Sequence, residues 1–215
     1  MSKHLFITRN LIAALVVVTS VVGYAGQGKV KSFVPPPVTA PKLEDSPEIG
    51  SHLGSQAAAD LIRNFAQTDG AFLAAGLVKQ DYSRDNLATL LQYQTDEIVI
   101  VTLTGAQIRQ AFERSVSFFP QPNSSFLQVS GFEITFAKNP EASPRVLSVT
   151  AKGSKLEDSK SYTVAMPSSL GRGALGYFKI WDKSKITKTF EGKTAEEILK
   201  GQKFFETSPR WQSQG

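Results

Sequence analysis

Ile98-Val99-Ile100-Val101-Thr102-Leu103 runs directly into Thr104-Gly105-Ala106-Gln107-Ile108, and this stretch settles which kind of fold the chain adopts. Its first six residues are β-branched or apolar, the composition of a central strand covered on both faces. Thr104, followed three residues later by Gln107, has the form of a capping box, in which two side chains satisfy the free amides at a helix start. Ile108, Ala111, Phe112 and Val116 then return on one helical face. The expectation is a buried strand leading into an amphipathic helix that packs back on the sheet.

On the N-terminal side, Ala58, Leu61, Ile62 and Phe65 recur at helical spacing, with Ser55 as the expected cap. Ala71 to Ala75 is a short apolar run ending at Gly76, which predicts a buried strand and a turn. Leu87, Leu90 and Leu91 predict a second helix behind Ser83 or Asp85. On the C-terminal side the pattern changes. Phe126 to Phe136, Arg145 to Ala151 and Ser161 to Met166 alternate apolar and polar residues, as antiparallel strands do. Thr194 and Glu197 form another capping box, opening a last helix that includes Ile198 and Leu199. This order predicts an α+β fold, one domain with a mixed β-sheet packed against helices rather than a doubly wound sheet.

The chain has 215 residues, 41% of them hydrophobic and 20% charged, enough for one globular domain with appendages. It has no cysteine, which excludes disulfides, thiolate metal sites and cysteine nucleophiles. A basic start at Lys3, His4 and Arg9, an apolar run from Leu11 to Val22 and small residues at Gly23-Tyr24-Ala25 have the form of a signal peptide. That run is shorter than the ~20 residues needed to cross a bilayer, so cleavage is expected over anchoring, and the membrane is met only through an uncleaved leader. Successive prolines from Val34 to Pro41 predict an extended spacer. The expected organisation is a signal peptide over 1–25, a Pro-rich linker over 26–47, a domain over 48–205 and a polar tail over 206–215. Localisation is expected to be exported, in a bacterial periplasm or outside the cell. The formal charge of +5 falls to +3 without Lys3 and Arg9, too mild and scattered for a nucleic-acid partner.

Catalytic motifs do not emerge. The chain has two histidines, His4 and His52, and His52 reads as a solvated residue beside a helix start. A Ser-His-acid triad would depend on it, and no G-x-S-x-G elbow, P-loop or dinucleotide fingerprint occurs. A two-metal hydrolytic site needs a dense set of carboxylate, imidazole and amide ligands. We therefore expect no catalytic residues, no metal ligands and no cofactor.

Phe126-Leu127-Gln128-Val129-Ser130-Gly131 is similar to the F-L-Q-V-S-G stretch of 5′-nucleotidase C-terminal domains. Val99 to Ile108 resembles the family's strand and L-T-G-x-Q-L helix start, and Phe112-Glu113, Arg145-Val146, Tyr162 to Ala165 and Gly176-Tyr177-Phe178 follow in the family's order. The resemblance implies a substrate-binding domain that elsewhere accompanies a metallophosphoesterase domain, gripping a nucleoside between aromatic rings and holding its phosphate with arginines. It implies a nucleotide or other phosphorylated small molecule as ligand. No catalytic domain of that kind is expected in the stretch before Ser51.

By the same resemblance, the N-G-G-G-I-R loop corresponds to Ala74 through Lys79, with Lys79 in place of the arginine. The second loop places Ser169 where a stacking ring is expected and Leu175 where an aspartate is expected. Phe126 matches the other ring. Lys79, Phe126, Gln128, Arg172 and Tyr177 are the expected substrate-binding residues, with Arg172 an anion collector in the turn Gly171-Arg172-Gly173. Two functions follow as expectations. One is a non-catalytic binding or accessory module with a degenerate nucleotide site. The other is the substrate-binding half of a split nucleotide hydrolase, partnered by a separately encoded metallophosphoesterase.

Overall fold

The computed structural model describes residues 46–215; the expected leader and most of the expected linker lie outside the described residues. The elements are α1 (Leu53–Ala66), β1 (Gly70–Ala74), β2 (Glu97–Thr104), α2 (Gly105–Val116), β3 (Leu127–Ser130), β4 (Phe132–Ala137), β5 (Val146–Ala151), β6 (Ser154–Lys155), β7 (Ser161–Pro167), α3 (Ser168–Gly171), β8 (Ile186–Thr194), α4 (Ala195–Leu199) and β9 (Trp211–Gln214). The strands form two sheets, ordered β3-β1-β7-β2-β8 and β6-β5-β4-β9. Both are mixed: β1 runs parallel to β7 and β4 parallel to β9, while the remaining pairs are antiparallel. The α+β expectation holds, with two sheets where one was expected.

Each side of β1 faces its own core. Phe72 and Ala74 join the cluster built on α2 and the second sheet, whereas Ala71 and Leu73 join the cluster beneath α1 and α4. Strand alternation sends successive side chains to opposite faces, and with helix or sheet on both sides all five residues are buried. Strand β2 is less enclosed than expected. Buried Val99, Val101 and Leu103 alternate with partly exposed Ile100, Thr102 and Thr104. Its neighbour β8 is an exposed edge strand that covers little of that face.

Both capping boxes form, Thr104 with Gln107 and Thr194 with Glu197. Elsewhere the local signals were displaced. The first helix takes His52, not Ser55, at its N-cap position. His52 is buried, with its Nδ1 2.7 Å from Ser55 Oγ and its ring edge-on to Tyr82. It is not the solvated residue expected, because Tyr82 packs against its ring and Ser55 engages its Nδ1. The expected helix around Leu87–Leu91 is a single 3-10 turn over Leu87–Leu90, capped by the Asn86 side chain at 3.3 Å from the Ala88 amide.

The expected strand from Phe126 to Phe136 is two strands in different sheets, separated at Gly131. Gly131 has φ of 81°, and a Cβ there would stand 2.2 Å from the Asp69 carbonyl oxygen, so glycine alone permits the switch. The tail over 206–215 is a further correction. Trp211–Gln214 pairs in parallel with β4, and the Trp211 indole is buried against Phe112, Phe126 and Phe136. Its Nε1 donates to the Leu127 carbonyl at 2.8 Å, joining the two sheets. One aromatic ring among polar neighbours was enough to anchor the segment.

Trp211→Ala should therefore lower stability by about 3–5 kcal/mol, the range for emptying a large aromatic site in a core. Urea unfolding of the two proteins checks this, and a loss below about 1 kcal/mol would mean the C-terminal strand is dispensable.

Candidate functional site

The sheet directs several loops to one end. Because β1 and β7 are parallel and β2 is antiparallel to β7, the residues after β1, after β7 and before β2 share that end. The residues before β3 arrive there too, since β3 is antiparallel to β1. Ala75 and Gly76 amides donate to the Phe126 and Ser124 carbonyls at 2.8 and 2.7 Å. Between these loops lies a cleft of about 430 Å³, lined by Gly76, Leu77, Tyr93, Asp96, Ser169 and Leu175, among others.

Two internal contacts shape it. The Asp96 carboxylate accepts from Ser168 Oγ at 2.5 Å, from the Ser169 amide at 3.1 Å and from Ser169 Oγ, so it holds the first turn after β7 against the start of β2. The opposite wall is set by Leu175, a non-glycine residue at φ of 56°, whose carbonyl accepts from Arg114 Nε at 3.1 Å and also from Nη2. A left-handed leucine costs about 1 kcal/mol or more. The guanidinium on its carbonyl and the glycine that follows keep the turn closed.

None of the five expected substrate-binding residues is among those lining this cleft. Lys79 and Arg172 are exposed on the flanking turns. Phe126 is 1% exposed and packs 4.6 Å from the Trp211 ring. Gln128 is fully buried: its Oε1 accepts from the His52 amide, and its Nε2 donates to the Pro47 and Gly50 carbonyls at 2.9 and 2.7 Å, which fastens the approach segment. Tyr177 is fully buried, stacked on Trp181 at 4.5 Å, and its hydroxyl donates to the Ser125 carbonyl. Burial pushes that phenol well above its ordinary value, so it stays a neutral donor. Phe126, Gln128 and Tyr177 are thus corrected from ligand contacts to interior supports, since their apolar and amide surfaces are consumed by packing.

Glu113 and Arg145, quoted for the resemblance, are also supports. The Glu113 carboxylate accepts from the Arg145 and Val146 amides at 3.1 and 2.8 Å, while Arg145 Nη1 and Nη2 donate to the Val116 and Phe119 carbonyls at the end of α2. Tyr93 is the residue that sequence reading missed. It is 59% exposed on the cleft rim, and the signal was an aromatic isolated in the polar run Gln92-Tyr93-Gln94-Thr95. Among the described residues no group of three or more His, Asp or Glu side chains is placed to hold a metal ion.

Asp96→Ala should cost about 1.5–3 kcal/mol, because it removes charge-assisted bonds and strands the Ser168 hydroxyl. Faster amide exchange across Ser168–Gly171, with unchanged exchange in β4 and β5, is the expected local signature; uniform acceleration would contradict this anchoring role.

Residues 40–181 match the 5′-nucleotidase, C-terminal domain family. Over 117 residues the chain is 31% identical to the trifunctional nucleotide phosphoesterase protein YfkN of Bacillus subtilis, covering 52% of this chain and 8% of that protein. It is 32% identical over 89 residues to the snake venom 5′-nucleotidase of Naja atra, covering 38% of this chain and 17% of the relative. The crystal structure of a 5′-nucleotidase precursor from Thermus thermophilus superposes with a TM-score of 0.65 at 23% identity, over 80% of this chain and 37% of that one. The chain therefore spans well under half the length of each of these relatives. By the match over residues 40–181, this chain belongs to the 5′-nucleotidase C-terminal domain family.

Proposed function

We propose that this domain is an exported, non-catalytic binding or accessory module that takes a nucleoside-like small molecule in the cleft at the ends of β1 and β7. The observation that carries this reading is the character of the cleft walls. Tyr93 offers an exposed ring, Leu77 and Leu175 supply apolar surface, and the sole charged side chain among the lining residues is the acidic Asp96. Such a lining suits an uncharged aromatic ligand better than a phosphate, which calls for the cationic forks that the family's arginines provide. The nucleotide site is degenerate in this sense: a base-binding surface remains where the phosphate contacts have been lost. Export is supported by the leader-like N-terminus and by relatives described as a precursor and as a venom protein.

A second reading is favoured by the greater length of the relatives. Here the chain is the substrate-binding half of a hydrolase whose metallophosphoesterase is separately encoded, and Lys79 or Arg172 reaches the phosphate only in that complex.

Calorimetric titration distinguishes the ligand classes. Adenosine or uridine should bind more tightly than the corresponding monophosphate, and Tyr93→Ala should weaken nucleoside binding about tenfold, the equivalent of ~1.4 kcal/mol within the range for base–aromatic stacking. Preference for the monophosphate, or an unaffected Tyr93 variant, would overturn the module reading. A second expectation is that the purified chain releases no phosphate from AMP with added Mn²⁺, Mg²⁺ or Zn²⁺, because ion pairs of that kind need clustered donors. Metal-dependent release that disappears on substituting this chain's own residues would refute it.

A further inference from the structure

A second concavity, of about 280 Å³, opens away from that cleft's lining residues, between the last turns of α1, the Gly131 switch and the turn joining β5 to β6. Arg63, Lys152 and Arg210 line it, and Glu133 is the one acid among its lining residues. The three cations are not equivalent. Arg210 is paired with Asp60 at 2.6 Å and also donates to the Val129 carbonyl, so it is consumed by the fold. Lys152 pairs with Asp69 at 2.7 Å but remains more than half exposed. Partial burial pushes the Asp69 carboxyl up, yet the bonds from Lys152 and Thr163 prevail and hold it below its ordinary range.

Arg63 is different. It makes no ion pair among the described residues, and its one side-chain hydrogen bond is a long contact from Nη1 to Ser130 Oγ at 3.5 Å. Its Nε is buried with no acceptor. Asp60, linked to Arg63 through Ser130 Oγ, has both oxygens engaged, one by Arg210 and one by Ser130 Oγ at 2.5 Å. A half-buried guanidinium normally finds an anion, because desolvating the charge without one is costly. Favourable interaction with the carboxyl end of α1 accounts for a cation in this turn but not for the missing acceptor.

We infer that this concavity is an oxyanion site that takes a phosphate-type tetrahedral group, with Arg63 as its principal donor and Lys152 as its second. The two cations come from separate elements and reach the space from different directions, which suits an anion with oxygens pointing several ways. Gly131 and Gly153 form part of the wall, and no heavy atom stands within 4 Å of where a Gly153 Cβ would lie, so the mouth is open. Glu133 on the wall opposes the anion and weakens its binding. This site is independent of the cleft reading and survives its failure.

The test is a ¹⁵N amide titration of the purified chain with sodium phosphate, against sodium chloride of equal ionic strength. Saturating shifts at the Gly131 and Gly153 amides are expected with phosphate and not with chloride. Arg63→Ala should weaken the response at least tenfold, Lys152→Ala should weaken it several-fold, and Lys79→Ala with Arg172→Ala should leave it unchanged. If Arg63→Ala fails to fold, Arg63→Lys serves in its place and should still bind several-fold more weakly. Shifts that do not saturate, or that persist in the folded Arg63 variant, would overturn the site. Acetate binding as tightly as phosphate would overturn its tetrahedral preference.

Discussion

Between β3 and β4 the chain passes from the five-stranded sheet to the four-stranded one through one residue, Gly131, and most of the architecture depends on that passage. The Asp69 carbonyl leaves no room for a side chain there, and the positive φ turns β4 out of the plane of β3. Two consequences follow from one backbone angle. Before it, β3 stays beside β1 and brings Phe126 and the Ser124 carbonyl under the turn that walls the cleft. After it, β4 pairs with β5 and β9 and delivers Phe132, Ile134 and Phe136 to the shared aromatic core. The same residue forms part of the wall of the cationic concavity, so the switch that builds the fold also builds its second pocket.

Four residues quoted for the family resemblance are buried or half-buried and hold loops. Gln128 fastens the approach to α1, Tyr177 ties the turn after α3 to the Ser125 carbonyl, and Glu113 with Arg145 closes the end of α2 onto β5. Each is a buried polar group whose hydrogen bonds run to backbone atoms of a distant segment. Such a group is expensive to replace, because its partners would be left unsatisfied in the interior. The cleft lining carries no comparable constraint. Tyr93 and Leu175 meet solvent, and their identity can drift while the scaffold remains. That asymmetry fixes the scaffold through buried partners and leaves the cleft walls free to vary.

The electrostatics of the two concavities differ for a structural reason. Around the cleft, the exposed cations Lys79 and Arg172 are absent from the lining, while the lining acid Asp96 is occupied by serine donors. Around the second concavity, the acids Asp60 and Asp69 are occupied by Arg210 and Lys152, and neither pairs with Arg63. Formal net charge describes neither place. What matters is which charge has spent its partner within the fold.

Some features followed from the sequence alone because they rest on near neighbours. Capping boxes at Thr104 and Thr194 involve residues three apart, and the apolar face of α2 and the alternation along β4 depend on backbone periods that any reader of the chain can count. The segments quoted for the family resemblance likewise led to the α+β class and to the family. Tertiary structure decided the rest, where the deciding contact is remote in sequence. Trp211 becomes a strand anchor because Phe126 and Phe136 lie beside it, His52 is buried because Tyr82 packs against its ring, and Phe126 becomes core because Trp211 covers its face. Arg63 makes no ion pair among the described residues, where Asp60 pairs with Arg210 and Asp69 with Lys152. Local patterning determines which elements form; burial and the pairing of charges depend on which distant groups the fold brings within a few ångströms.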